Sequence, residues 1–180
     1  MWRALLLAFM LLTMVSCGSP MFQNLFKEQQ WSENYALADG VRCNPPEMCD
    51  GDVNTVGKLP FPEGVYGRTV YGAFPNAEAE ITLPEKKTIN KIVIRSDSLK
   101  DFSVLASVGK DEWKTIREVS GNKEKEIVIR TSVVTDKIKI RARGRVPMEG
   151  PESVRIVGPT GTSRAIVEPE VREVELYGFK

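Results

Sequence analysis

Seven short runs of this chain alternate apolar with polar residues, and that period of two constrains the fold more than any other feature of the sequence. Successive side chains on a strand point to opposite faces, so each run reads as a half-buried strand. "AEAEITL" (77–83) alternates strictly. "TINKIVIRS" (88–96) sets Ile89, Ile92 and Ile94 inward with one irregular step. "DFSVLASV" (101–108) places Phe102, Val104, Ala106 and Val108 on one face. "EWKTIREV", "KEIVIRTS", "DKIKIRAR" and "REVELYG" continue the pattern, separated by Gly-Asn, Asp and Pro punctuation. No long segment carries a helical period, and only "MFQNLFKEQQW" has room for a helical turn or two, with Phe22, Leu25 and Phe26 on one side. The spacing predicts an all-β fold, an antiparallel sandwich or barrel. Residues 146–169 interrupt the rhythm, and "SVRIVGPTGTSRAIVEP" within them reads as an inserted hairpin around Gly158-Pro159-Thr160-Gly161.

The first residues belong to another kind of segment. Arg3 precedes an apolar run from Ala4 to Val15, which is too short to span a bilayer as a helix. It has the charged and apolar regions of a secretory signal. The ending "MVSC" resembles a bacterial lipobox, in which the peptide is cut before the cysteine and Cys17 is lipidated. The expected organisation is a lipoprotein signal peptide at 1–16, then the lipidated cysteine, a short tether and an N-terminal segment at 17–30. One strand-rich domain follows at 31–180. The expected location is the cell envelope, lipid-anchored to a membrane. Gly18 behind the anchor, where Asp would retain a lipoprotein at the inner membrane, fits the outer membrane if the host is Gram-negative.

Removing Arg3 with the leader leaves 24 basic residues against 24 acidic ones. A neutral domain has no bulk basic field for nucleic acid, so no nucleic-acid partner is expected. The chain has no histidine. That excludes a Ser-His-Asp triad, a Cys-His pair and the usual zinc sites. Glu78 and Glu80 share one strand face and Glu173 and Glu175 another, but solvent exposure explains such spacing, and no enzyme is expected. Two cysteines remain, Cys43 and Cys49, with Pro45-Pro46 between them. Export favours a structural disulfide that closes this small loop, over two free thiols or weak metal ligands.

Directly after the pair comes "CDGDVNT" (49–55). Asp50, Asp52 and Asn54 alternate like the first ligands of an EF-hand loop. That loop needs Gly at its sixth position and Glu at its twelfth, where this chain has Thr55 and Phe61. The cluster is therefore either a solvated Asp-Gly turn helped by Asn54 or an oxygen cage for a hard cation.

In order, "NYALADG", "CDGDVNT", "AEAEITLPEKKTINKIVIRS", "DFSVLASVGKDEWKTIREVSGN", "DKIKIRARG" and "REVELYG" resemble the discoidin, or coagulation-factor C-type, domain. That domain is a jelly-roll sandwich of the galactose-binding-like superfamily. Gly57 stands where the family commonly has tryptophan. The resemblance implies a non-catalytic binding module for carbohydrate. The same sandwich holding an envelope protein, as a structural or assembly lipoprotein, is the alternative. It also implies a structural calcium held by Asp50, Asp52 and Thr55 of the turn with Glu173 of the last strand. Trp113 matches the family's core tryptophan and is expected to pack inside.

Modules of this kind bind with loops at one end. The richest candidate stretch is "KLPFPEGVYGRTVYGAF", with Tyr66, Arg68, Tyr71 and Phe74 as the expected ligand residues and Phe61 nearby. Trp31 is either a platform or a cover for the core. "KIKIRARGR" gives one apolar face and a basic stripe, Lys137, Lys139, Arg141, Arg143 and Arg145. The stripe could capture an anionic sugar, a phosphate-bearing lipid or an acidic partner, but the favoured reading is a solvated outer face paired across strands with residues such as Glu175.

Overall fold

The structure is a computed structural model that describes residues 29–62, 76–144, 155–158, 161–164 and 167–180. Two long strands organise it. β3 (Asn76–Arg95) and β6 (Glu126–Arg143) run antiparallel, from Asn76 opposite Arg143 to Arg95 opposite Glu126. The sequence suggested four strands here, with Pro84 and Asp136 as breaks. The ladder instead absorbs both as a register shift between Thr82 and Lys87, and a second shift lies between Ile89 and Lys91. Such irregularities bend strands, which lets one pair serve both layers of a sandwich.

In the first stretch β3 is flanked by β1 (Arg42–Asn44), while β6 carries β4 (Phe102–Gly109) and then β5 (Glu112–Val119). This is a five-stranded portion in the order β1-β3-β6-β4-β5. In the second stretch β3 pairs instead with β10 (Glu173–Tyr177), giving β10-β3-β6. A small ribbon joins β2 (Gly57–Lys58) to β9 (Glu170–Val171). In the inserted region β7 (Arg155–Gly158) pairs with β8 (Gly161–Arg164), Gly158 opposite Gly161.

Both portions turn their alternate residues onto one core. Ala77, Ala79, Ile81, Phe102, Val104, Ala106, Ile138, Ile140 and Ala142 come from the first, and Ile89, Ile92, Ile94, Ile127, Ile129, Val174 and Leu176 from the second. The irregular step between Ile89 and Ile92 is the second register shift, and the displaced Asn90 is buried with its side-chain oxygen accepting from the Phe179 amide. Val108 departs from expectation and is exposed, because β4 runs past the end of its ladder with β6 at Ala106. Trp113 is also not a core residue. It pairs with Ser107 on the outward face, half-buried, with the Lys139 ammonium 4.3 Å from its ring centre. The half-buried Trp31 packs its ring 5.1 Å from that of Phe179, with the Lys91 ammonium 4.5 Å from its centre on the outward face.

Cys43 and Cys49 are disulfide-bonded around the short 3-10 turn Pro46–Cys49. Gly57 explains its own departure from the family pattern. It is buried against this loop, and a β-carbon there would lie 2.6 Å from Pro45 Cγ. Gly57→Ala is expected to cost about 1–3 kcal/mol through overpacking, and a tryptophan could not be seated at all. A urea titration of the alanine variant checks this, and an unchanged midpoint would contradict the close approach.

Candidate functional site

Two places merit description, the aspartate turn and a groove at one end of the five-stranded portion.

The turn is built from its own side chains. Asp50 Oδ1 accepts from the Asp52 amide at 2.9 Å, and Gly51 takes a left-handed φ of 79° that side chains resist. Asp52 Oδ1 accepts from the Asn54 amide and from Asn54 Nδ2. The carboxylate of Asp52 thus caps Asn54, while its carbonyl faces Thr55. The Thr55 hydroxyl lies 2.8 Å from Asp50 Oδ2, 2.8 Å from the Asp52 carbonyl and 3.3 Å from the Glu47 carbonyl. One hydroxyl proton cannot serve three acceptors, so oxygens gather here in excess of donors. The Asp52 amide, followed by the Thr55 hydroxyl, holds the Asp50 carboxyl below its ordinary range.

Glu173, at the start of β10, is only 2% exposed. Both its carboxylate oxygens are buried with no hydrogen-bond partner among the described residues. Burial is the main cause that pushes its carboxyl up to about 7, and the charge of Asp50 adds to it. The Gly51 amide and Arg95 work the other way, the amide without reaching hydrogen-bond geometry. Arg95 is engaged elsewhere, with Glu175 and Glu126. A buried, unpartnered carboxylate beside an oxygen-rich turn is what a hard cation would complete. Among the described residues no three acidic or cysteine side chains converge as a metal-binding group. The donor set that fits is mixed: the carboxylates of Asp50 and Glu173, the Thr55 hydroxyl, and carbonyls of Glu47 and Asp52.

The groove is open, about 310 Å³, and polar on most sides. It gathers Asn76 at the start of β3, Arg141 and Arg143 at the end of β6, Asp101 and Ser103 at the start of β4, and Glu118 and Ser120 at the end of β5. Phe102 and Val119 supply apolar surface. Asp101 is fixed by the Ser120 hydroxyl and the Gly121 amide, which lower its carboxyl in that order. Tyr66, Arg68, Tyr71 and Phe74 lie outside the described residues, as do Cys17 and Arg145. The segment carrying the four ligand candidates joins β3 at Asn76, on the rim of the groove. Of the groove residues the sequence marked only Arg141 and Arg143, as part of the basic stripe, because four strand ends bring the others to them.

Lys137, Lys139 and Arg141 of the basic stripe are paired across strands, but with partners other than Glu175. Arg141 Nε lies 2.6 Å from Glu78, Lys139 3.0 Å from Glu78, and Lys137 3.5 Å from Glu80. The β3–β6 register sets Glu78 opposite Arg141 and Glu80 opposite Lys139. Glu175 is out of reach on β10 and serves Arg95 instead.

No family model matches the chain, and no curated protein matches it. Solved structures do. Chitosan-binding module 1 of a chitosanase/glucanase from Paenibacillus sp. IK-5 superposes with a TM-score of 0.55 at 14% identity, covering 82% of this chain and 100% of the module. Module 2 of the same enzyme, in complex with chitotriose, gives 0.54 at 14% identity over 81% and 100%. CpGH89CBM32-6, produced by Clostridium perfringens, gives 0.53 at 16% identity over 81% and 98%. The chain therefore has the antiparallel β-sandwich fold of these modules.

Proposed function

We propose that this chain is a non-catalytic carbohydrate-binding module, lipid-anchored at Cys17 in the cell envelope and stiffened by a structural calcium. The observation that carries the carbohydrate reading is the match over 81–82% of this chain with two chitosan-binding modules of a chitosanase/glucanase, each covered in full. The groove at the strand ends supports it, since sugar recognition combines an apolar surface with a few fixed polar groups. Asn76, Ser103, Asp101 and Arg143 offer donors and acceptors beside Phe102. In this reading Tyr66, Arg68, Tyr71 and Phe74 add aromatic and cationic contacts from the adjoining segment.

Calcium would be held by Asp50, Thr55 and Glu173 with the Glu47 and Asp52 carbonyls, and it would neutralise the buried Glu173 carboxylate. Its role is to brace the loop rather than to act on a ligand. The lipid anchor, and the outer membrane if the host is Gram-negative, rest on the sequence of residues 1–18. A panel of immobilised neutral, amino and acidic glycans, probed with the full chain in calcium, tests the carbohydrate reading. Retention on at least one class is expected. Silence across the panel by a folded protein would overturn it in favour of an envelope-protein partner.

A further inference from the structure

The five-stranded portion carries a second groove, about 340 Å³ in volume, at its other end. β4 connects the two, with Asp101 and Ser103 in the first and Ser107 and Gly109 in the second, so they lie roughly 20 Å apart along the strand. Among the described residues, Trp113 of β5 lines it on one side of β4. On the other side are Asp136 and Lys137 of β6 and Lys86 from the register shift of β3. The β4–β5 turn adds Lys110 and Asp111.

A buried residue fixes this arrangement. The Thr135 hydroxyl lies 2.9 Å from the Ser107 carbonyl and 2.9 Å from the Lys137 carbonyl, and it accepts from the Lys137 amide at 3.1 Å. It thus ties β6 to β4 just past Ala106 opposite Ile138, where the ladder between them ends. The Ser107 hydroxyl donates to the Gly109 carbonyl at 2.9 Å and holds the approach to the turn. Trp113 stands opposite Ser107 on the outward face, half-buried, and the Lys139 ammonium 4.3 Å from its ring centre steadies the indole. The groove therefore has a placed aromatic ring and a rigid polar frame.

We propose that this groove is a second binding site, for a saccharide ring that carries a carboxylate or a sulfate. Its volume is at the small end of ligand sites, which combine an aromatic surface with a few placed polar groups. Trp113 supplies the flat surface on which a sugar ring can lie. Three lysines against two aspartates leave the lining net cationic, so an uncharged sugar would leave that field unused. A bare anion would meet Asp111 and Asp136 with nothing to offer them, whereas a sugar brings hydroxyl donors for both carboxylates. Only a ligand with an anionic group, hydroxyls and a ring face answers every part of the lining. The proposal rests on the carbohydrate reading and adds to it the charge of the ligand and a place for it away from the first groove.

Titration calorimetry of the full chain in mild detergent tests the site, with galacturonate, sialylated and sulfated oligosaccharides each set beside its neutral counterpart. At least one acidic sugar is expected to bind about tenfold more tightly than its counterpart, with the advantage shrinking as salt is raised. Trp113→Ala is expected to weaken that binding about tenfold. Lys86→Gln combined with Lys110→Gln should do the same, and since both lysines are exposed this pair decides the matter if Trp113→Ala fails to fold. Lys114→Gln removes the same charge from β5 outside the groove and should change nothing. Neutral sugars bound as tightly as acidic ones overturn this site and leave the carbohydrate reading standing. Silence of a folded chain toward every sugar overturns both. An acidic preference indifferent to the Trp113 and lysine variants, or matched by inorganic sulfate alone, also overturns the site.

Discussion

Glu173→Gln is expected to make the calcium-free protein more stable above pH 7, while removing its response to calcium. The Glu173 carboxyl is pushed from an ordinary 4.5 up to about 7 by burial and then by Asp50. Between those values the native state holds a proton that the unfolded chain has released. The metal-free protein therefore loses stability as pH rises through this window, and the loss is complete above 7. At 1.36 kcal/mol per unit the loss is about 3 kcal/mol. Glutamine carries no such cost, so its stability should be flat across the window. Calcium reverses the sign for the wild-type chain only, because it needs the ionised carboxylate and should bind more tightly as pH rises through 7. Urea midpoints at pH 5 and pH 8, in calcium and in chelator, separate these cases. Parallel profiles for the two proteins would falsify the assignment of Glu173.

Met48→Ala is the second large effect. Met48 is fully buried, lies inside the disulfide loop and belongs to the central core. Truncating it removes transfer energy and leaves a cavity, at a cost of about 2–5 kcal/mol. It also unseats the loop that leads into Asp50, so the calcium-induced rise in melting temperature should shrink with the stability. Val53→Ala, on the exposed side of the same turn, is the control, with a change within about 0.5 kcal/mol. Calorimetric melts in calcium and in chelator check both parts. A calcium response intact in Met48→Ala would show that the loop holds its shape without this anchor.

What the sequence revealed, and what it hid, follow from the range of the interactions involved. Alternation is local, so the inward sets at Ile89, Ile92 and Ile94 and at Ile138, Ile140 and Ala142 were readable from the chain alone. Continuity was not, because Pro84 and Asp136 look like breaks locally and only the ladder shows that β3 and β6 run through them. The stripe on β6 could be recognised as a paired outer face, yet its partners depended on register, which set Glu78 and Glu80 beside it and left Glu175 to Arg95. Trp113 was placed by resemblance on the inside, whereas the β4–β5 pairing turns it outward over Lys139. Asp50 and Glu173 are more than a hundred residues apart, and resemblance rather than spacing brought them together. The groove at Asn76, Asp101 and Arg143 left only its two arginines as a trace in the sequence, within the basic stripe, since its other residues are ordinary until four strand ends converge.

The most direct test of the carbohydrate reading is affinity electrophoresis of the full chain in mild detergent through gels containing candidate polysaccharides, chitosan among them, with and without calcium. The account predicts retardation of the wild-type chain by at least one polysaccharide, and about tenfold weaker retardation for Arg143→Ala, which removes a charged donor from the groove without touching the core. Unretarded migration of a folded wild-type chain in every gel, or equal retardation of the variant, would contradict respectively the function and the placement of its site.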